Sequence, residues 1–526
     1  MNLNRIGRYA MVVTMLAYAC SAYAEPSELR KLIDESDALA VQRKFNESFE
    51  VAKKAMALVE TTPAQNPAEV SEVLNNLAIG YQRKSEFALA ESLFKRAIEL
   101  SEKALGSEHP DLMIILGNFA GFYRTQSRFQ EEEPLRKRIL AASEKAKGPD
   151  DPIVAAALNH LGEMFRLQGS YVEAEPLHKR ALAIREKILG ADHFDVGVSL
   201  NNLALVYRGQ RRFAEAEGLA IRALDIFEKK QGPEHPSMML YIDNLANLYW
   251  DQGKHAKAEP LYQRSLAIAE KAYPANSTVV ENHLGQLGWS YLMQRRYAQA
   301  EPYLKRALEV REQMSGRDSP AVIDRLQRLG RLYLDWERFK QAEEVFQRAL
   351  AIQEKAAGTD HPATASSLNY LAITYQQAGH FAKALSLRKR ELAIREAADG
   401  AESSSVATSL NNLGVLQVFS NQFPEAEATL KRAIDINEKH FGADHEEVAT
   451  GLTNLSRVYT LQRQYEKSEP LLKRALAINE KVYGPSHPLV AGTLDLLSEN
   501  CQQTGRRQEA NRLHQRAVEI YSASRN

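Results

Sequence analysis

The sequence predicts an all-α solenoid of about twelve helical hairpins, each 42 residues long. Three observations support this prediction. Aliphatic residues return every 42 residues from Leu74 to Leu494, and arginines return with the same period from Arg96 to Arg516. Between the two rows, apolar residues follow the spacing of amphipathic helices. A fixed period of about 20–50 residues is typical of stacked repeat architectures.

Each row has eleven members and no insertion. The aliphatic row is Leu74, Leu116, Leu158, Leu200, Ile242, Leu284, Leu326, Leu368, Leu410, Leu452 and Leu494. The arginine row is Arg96, Arg138, Arg180, Arg222, Arg264, Arg306, Arg348, Arg390, Arg432, Arg474 and Arg516. A degenerate further unit precedes them, because Leu32 and Phe45 lie 42 residues before Leu74 and Phe87.

One repeat illustrates the two helices of a hairpin. The stripe at i, i+3, i+4 and i+7 that predicts the first helix, helix A, consists of Leu200, Leu203, Ala204 and Tyr207. A second helical stripe runs from Phe213 to Phe227 and predicts helix B. Neither stripe can be buried within one hairpin, so neighbouring hairpins must stack.

A short motif separates helix B from the next helix A. In Gly232-Pro233-Glu234-His235-Pro236 the glycine favours the end of helix B, and the proline favours the first turn of the next helix. Histidines occupy this motif in six repeats: His109, His193, His235, His361, His445 and His487. Neighbouring repeats lie roughly 10 Å apart, too far to share one ion, so we interpret these histidines as loop caps and predict no metal site.

These motifs resemble the tetratricopeptide repeat. Leu-x-x-Leu-Ala-x-x-Tyr in helix A and Ala90, Phe94 and Ala97 in helix B match its pattern. The 42-residue length, with Asn-Asn-Leu-Ala and Gly-x-x-His-Pro, is similar to the kinesin light chain type. The resemblance covers residues 29–521. It implies a right-handed superhelix whose concave wall of A helices binds peptides, and it implies no catalysis.

The first 24 residues have the pattern of an export signal. Arg5 and Arg8 precede an apolar run, and Ala22-Tyr23-Ala24 predicts cleavage after Ala24, with retention as an anchor as the alternative. We therefore assign residues 1–24 to a signal peptide, 25–70 to the degenerate first repeat, and 71–526 to eleven repeats ending in a capping helix. The expected location is the periplasm or the exterior. After residue 24, no apolar stretch is long enough to cross a bilayer.

Composition and motifs exclude several classes of function. Lys plus Arg and Asp plus Glu both number 67, a balance that argues against a general nucleic-acid binder. The sequence has no Walker loop, GxSxG, HExxH or paired CxxC motif, so we predict neither an enzyme nor a cofactor. Cys501 occupies the tyrosine position of the last helix A and is interpreted as a buried apolar residue.

The arginine row is interpreted as architecture. In nine of eleven repeats a glutamate stands five residues before the arginine, from Glu91 to Glu469. Oppositely charged rows that recur in nearly every repeat predict ion pairs between neighbouring repeats. A binding site would not need eleven copies.

Positions that differ between repeats are the candidate binding residues. Turning about 100° per residue from the buried stripe places Asn201, Leu205 and Arg208 on the face that lines the channel in the resembled family. The Asn201 position is mostly polar, with candidates Asn159, Asn201, Asp243, Asn369 and Asn411. Amides there can bind a peptide backbone, or they can bond one A helix to the next, and the sequence leaves both interpretations open.

The Arg208 position carries three successive arginines followed by a tryptophan: Arg124, Arg166, Arg208 and Trp250. Trp289 and Arg331 occupy the neighbouring Leu205 position in the next two repeats, so two indoles are expected to share the middle of the groove. Arginines about 10 Å apart would meet every third residue of an extended chain, which suits an acidic segment with an aromatic or apolar anchor. The alternative is that these arginines are ordinary surface residues and that the tryptophans pack.

The sequence therefore predicts an exported, non-catalytic scaffold or adaptor that binds a protein or peptide in its groove. The alternative is a structural envelope protein that assembles with itself. An enzyme is the third hypothesis, and no motif supports it.

Overall fold

The computed structural model describes residues 27–62 and 66–523. Within those residues there are 24 α-helices, one short 3₁₀ helix and no β-strand. The predicted all-α fold class is therefore confirmed for the described part of the chain. Residues 1–24, the predicted signal peptide, lie outside it.

The chain divides into two compact units, Met1–Leu261 and Tyr262–Asn526. The helices of the first unit are α1 Glu28–Val41, α2 Phe45–Thr61, α3 Pro67–Arg83, α4 Phe87–Leu105, α5 Pro110–Thr125, α6 Phe129–Lys147, α7 Pro152–Gln168, α8 Tyr171–Leu189, α9 Phe194–Gly209, α10 Phe213–Gln231 and α11 Met238–Asp251. The boundary falls within α12, His255–Ala272.

The second unit continues the same alternation. Its helices are α13 Thr278–Met293, α14 Tyr297–Ser315, α15 Ile323–Asp335, α16 Phe339–Ala357, α17 Pro362–Gln377, α18 Phe381–Asp399, α19 Ser404–Phe419, α20 Phe423–Phe441, α21 Glu446–Leu461, α22 Tyr465–Tyr483, α23 Pro488–Gln503 and α24 Arg507–Ala523. The 3₁₀ helix Pro320–Val322 precedes α15. Odd-numbered helices are the predicted A helices and even-numbered helices are the B helices.

Apolar side chains from consecutive hairpins pack into shared buried clusters. In the second unit Val418 of α19, Leu430 of α20 and Leu452 of α21 belong to a single buried cluster, which Ala475 of α22 completes. Odd helices also contact each other within a unit, as α19 and α21 do. The stripe of each helix is thus buried by its own partner and by the following hairpin, as the sequence predicts.

The arginine row joins consecutive B helices. Arg432 Nη1 donates to Glu396 Oε1 at 2.6 Å, and its Nη2 donates to the carbonyl oxygen of Ala401 at 3.0 Å in the loop that follows. The corresponding ion pairs are Arg138 with Glu102, Arg180 with Glu144, Arg222 with Glu186, Arg306 with Glu270, Arg348 with Glu312, Arg390 with Glu354, Arg474 with Glu438 and Arg516 with Glu480. Pairing between neighbouring repeats is therefore confirmed.

The prediction that the partner is the glutamate five residues before an arginine is wrong. Five of those nine glutamates accept a hydrogen bond from a tyrosine hydroxyl of the next A helix, as Glu427 does from Tyr459 at 2.8 Å. The same contact joins Glu91 with Tyr123, Glu217 with Tyr249, Glu301 with Tyr333, and Glu343 with Tyr375. Arg432 instead reaches Glu396, which lies six residues after the preceding arginine of the row, Arg390. The glutamates of the expected row are engaged by the next A helix.

Five of the six histidines of the inter-repeat motif are N-cap residues of A helices. In each of the six, Nδ1 lies 3.1–3.3 Å from the backbone nitrogen two residues later and accepts its hydrogen bond. His235 makes this contact with the backbone nitrogen of Ser237, which is the N-cap residue of α11. This contact satisfies one of the amide groups left free at a helix N-terminus. The interpretation as loop caps is confirmed.

The stacked core and the exposed ion pairs should contribute unequally to stability. Leu430→Ala should lower the free energy of unfolding by about 2–5 kcal/mol, because it leaves a cavity between hairpins. Arg432→Ala, two residues away, should cost less than about 1 kcal/mol, because solvent screens its ion pair. Urea unfolding followed by circular dichroism measures both, and equal losses would contradict this assignment.

Candidate functional site

The candidate residues lie on one side of the A helices. We call this surface the A face, and we define it by the positions one, two, five and eight residues after each member of the aliphatic row. In α9, Asn202, Leu205 and Arg208 are partly exposed, whereas Leu203 and Ala204 are buried. In the second unit, residues of this face from neighbouring A helices line two recesses, each of about 380–390 Å³.

The predicted arginines of the A face share one feature: a carboxylate of the same unit holds each guanidinium. The pairs are Arg124 with Glu132, Arg166 with Glu163, Arg208 with Asp251, and Arg331 with Asp335, at nitrogen–oxygen distances of 2.5–2.9 Å. The row is therefore not a line of uncompensated cations. A ligand must either compete with these carboxylates or bind beside them.

The amide row bonds one A helix to the next. Asn201 Oδ1 accepts from Asn244 Nδ2 at 3.0 Å, and Asn411 Oδ1 accepts from Asn454 Nδ2 at 2.8 Å. This is the second of the two interpretations that the sequence leaves open, and peptide binding by the same row stays a prediction. The sequence did not predict the donors Asn244 and Asn454, which occupy the position of Asn202 in their repeats. The repeated Asn-Asn pair, as at Asn201 and Asn202, was a signal that both positions matter.

The other polar candidates of this row make different contacts. Asn159 is buried, and its Oδ1 lies 3.0 Å from Nδ1 of His178 in the neighbouring B helix. Asn369 Oδ1 accepts from Arg388 Nη1 at 2.5 Å. Asp243 is half-buried. In these two repeats, Asn159 and Asn369 thus bond to the neighbouring B helix and not to the next A helix.

The two tryptophans belong to different units. The Trp250 ring lies 4.2 Å from the His255 ring within the first unit. In the second unit the guanidinium of Arg328 stands 5.5 Å from the Trp289 ring centre, and Trp289 and Arg331 line the same recess with Tyr370. The structure therefore brings Trp289 and Arg331 together. The expectation that both indoles share one stretch of groove stays a prediction.

Sequence analysis missed a set of buried ionisable groups beneath the A face. One position of helix B holds apolar side chains in most repeats: Phe94, Leu304, Phe346, Leu430 and Leu472. Four repeats carry an arginine or a histidine there instead. Three of these are buried, namely Arg136, His178 and Arg388, with exposed fractions of 8%, 0% and 3%, whereas His514 in the last repeat is exposed. Reading this position through all repeats by the 42-residue period would have found them.

Burial changes the acid–base properties of these groups. It lowers the pKa of Arg136 to about 10, and the positive charge of Arg124 acts in the same direction. It also lowers the pKa of His178 to about 4. The Nε atom of Arg136 donates to Glu132 Oε1, which Arg124 also uses, so two cations share one carboxylate.

Other chemistry is sparse in the described residues. Cys501 is 1% exposed and burial raises its pKa, so the interpretation as a buried apolar residue is confirmed. Across residues 27–62 and 66–523, no group of three or more His, Cys, Asp or Glu side chains could hold a metal ion. None of the described helices is both long and apolar enough to cross a membrane.

The repeat itself matches a known family along most of the chain. Tetratricopeptide repeat models match residues 69–145, 111–187, 153–229, 195–271, 236–313, 279–355, 322–397, 364–439 and 440–523. The chain therefore belongs to the tetratricopeptide repeat family, whose members are scaffolds that bind protein partners.

Solved structures are similar to parts of the chain. BtubC (BKLC) from P. vanneervenii is 23% identical with a TM-score of 0.39, covering 44% of this chain and 92% of that protein. Repeats of a Podosopora anserina protein designated a kinesin light chain are 26% identical with a TM-score of 0.35, covering 39% and 97%. The apo form of RapI is 12% identical with a TM-score of 0.47, covering 71% and 98%. No curated protein sequence matches the chain.

The buried histidine should make stability depend on pH. Because the pKa of His178 falls from 6.5 to about 4 on folding, the unfolded chain takes up a proton first as the pH drops. The contribution of neutral, buried His178 to the free energy of unfolding is fully present above pH 6.5 and is lost as the pH falls toward 4. Between pH 7 and pH 5 this loss should be about 2 kcal/mol.

The variant His178→Phe should remove that loss. Phenylalanine fits because Phe346 packs against Gly330 in the same way as His178 packs against Gly162. Urea unfolding at pH 7 and pH 5 should show a smaller difference for the variant than for the wild type. If the free energy of unfolding falls by the same amount between pH 7 and pH 5 in both proteins, His178 does not cause the pH dependence.

Proposed function

We propose that this chain is an exported scaffold that holds a protein or peptide partner on its A face without catalysing a reaction. One observation supports this most: the aliphatic row of the core keeps one chemistry in all eleven repeats, whereas the partly exposed A-face positions differ from repeat to repeat. A surface whose residues vary from repeat to repeat, on a core that keeps its structure, is suited to selecting a partner. Family membership supports the class of function.

The recess beside Trp289 is the proposed point of strongest contact. Its aromatic and cationic residues are Trp289, Tyr370, Arg328 and Arg331, types that are common at binding hot spots. Asp324 and Asp335 hold Arg328 and Arg331 through Nε contacts at 3.1 and 2.8 Å, so the guanidiniums are oriented rather than free to move. We propose that an aromatic or apolar side chain of the partner packs here.

The acidic character proposed for the partner has different support. The paired arginines of the A face carry little net charge, because each already has a carboxylate. The buried arginines Arg136 and Arg388 provide positive charge beneath the same face. The partner is therefore proposed to bring acidic groups to a few positions instead of along the whole row.

Partner binding should depend on the Trp289 recess. The double variant Trp289→Ala/Arg331→Ala should bind partners captured from the cell-envelope extract at least about tenfold more weakly than the wild type, as measured by titration calorimetry. Arg432→Ala, which alters only a B-helix ion pair, is the matched control and should bind normally. Equal affinity of the double variant would exclude this recess. If the wild-type protein binds no partner and its particle size in light scattering increases with concentration, the self-assembly hypothesis is favoured instead.

Export predicts a defined N-terminus. If residues 1–24 are removed as proposed, the protein purified from the envelope fraction should begin at Glu25. Mass spectrometry of the N-terminal peptide measures this directly. A chain that retains Met1 in the cytoplasmic fraction would rule out export.

A further inference from the structure

Arg388 occupies a position of α18 that is apolar in the neighbouring repeats. The equivalent residues in α20 and α22 are Leu430 and Leu472. Three residues later, Glu391 stands where those helices have alanine. This repeat has therefore exchanged an apolar pair of its core for an arginine and a glutamate.

The guanidinium of Arg388 is buried and only partly bonded. The residue is 3% exposed, and both hydrogen bonds that it donates start from Nη1, to Asn369 Oδ1 at 2.5 Å and to Glu391 Oε2 at 2.8 Å. Its Nε has no partner among the described residues. A guanidinium has five N–H donors, so the Nη2 donors remain for a group outside this part of the chain.

The positive charge of Arg388 is also only partly compensated. Glu391 is 2% exposed and accepts from Arg388 and from Arg395 Nε, which lies 3.2 Å away. Two arginines thus share one carboxylate. The Arg395 side chain is 30% exposed, whereas Arg388 is buried, so the buried guanidinium has only part of a counter-charge. Burying such a charge is costly unless a counter-charge joins it.

Arg388 lines an open recess of the A face. The recess has a volume of about 390 Å³ and lies between α17 and α19. The side chains that surround Arg388 there are the amides Asn369, Gln376, Gln377 and Asn412 and the apolar Ile373 and Val415. Amides can donate to and accept from peptide groups, and the apolar pair offers contact for methylene groups.

We propose that this recess binds the side-chain carboxylate of a glutamate or aspartate of the partner. Arg388 Nη2 donates to the carboxylate, the amides bond to the adjoining peptide groups, and Ile373 and Val415 contact the methylene carbons. This assignment rests on the proposed function, since the partner must lie on the A face. A terminal carboxylate has the same chemistry and is distinguished by the probes below.

The test needs a variant that keeps the core intact. Arg388→Leu alone would leave Glu391 buried with one partner fewer, so the informative variant is Arg388→Leu/Glu391→Ala. This variant restores the leucine–alanine pair that Leu430 and Ala433 form in α20. Arg512→Leu, on the exposed surface of α24, is the matched control.

The probes are three small molecules of defined charge. N-acetyl-glutamate N-methylamide carries a side-chain carboxylate, the corresponding glutamine derivative is its neutral counterpart, and N-acetylalanine carries only a terminal carboxylate. Binding to the purified chain is followed by NMR of the ¹³C-labelled methyl groups of Ile373 and Val415, which report on this recess alone.

The glutamate derivative should shift both methyl signals with saturation, and the other two probes should shift them at least about tenfold more weakly. The double variant should lose the response to the glutamate derivative, and Arg512→Leu should keep it. Four results would overturn the assignment. The first two are equal shifts with the glutamine and glutamate derivatives, and the strongest shifts with N-acetylalanine. The other two are an unchanged response in the double variant, and no response in the wild type. Because these outcomes do not depend on a captured partner, they are separate from a failure of the proposed function.

Discussion

Every other feature of this structure depends on the burial of helix stripes between neighbouring hairpins. One hairpin offers apolar residues on both helices, and the core cluster around Leu430 and Leu452 shows that a following hairpin must cover them. The core positions consequently tolerate little chemical change. Exposed positions of the A helices have no such requirement, so the chain can vary them without losing the stack.

The repeat period determined most of what could be predicted about the fold. It located helices A and B, the histidine caps and the existence of ion pairs between repeats. It could not identify the glutamate that binds each arginine. Glu396, the partner of Arg432, was outside the expected row because the placement of consecutive hairpins in space decides which side chains meet. A spacing measured along the sequence carries no information on that placement.

The candidate site was less predictable than the frame. The sequence placed Trp289 and Arg331 on the same face, and the structure brings them to one recess. It did not reveal that carboxylates at various separations hold the A-face arginines, as Asp251 holds Arg208. It also missed Arg388, because a charged residue at a core position contradicts the apolar pattern by which the core was recognised. Such an exception to a regular pattern is itself informative about function.

The ion pairs between B helices also limit how such a chain can evolve. Nine arginines of the row pair with a glutamate 36 residues earlier, and seven of them also donate to a loop carbonyl 31 residues earlier. A duplication or deletion of 42 residues restores both partners at the new junction, whereas any other length separates them. The array can therefore lengthen or shorten its A face only in whole units, and each duplication supplies a redundant A helix whose exposed residues are free to diverge.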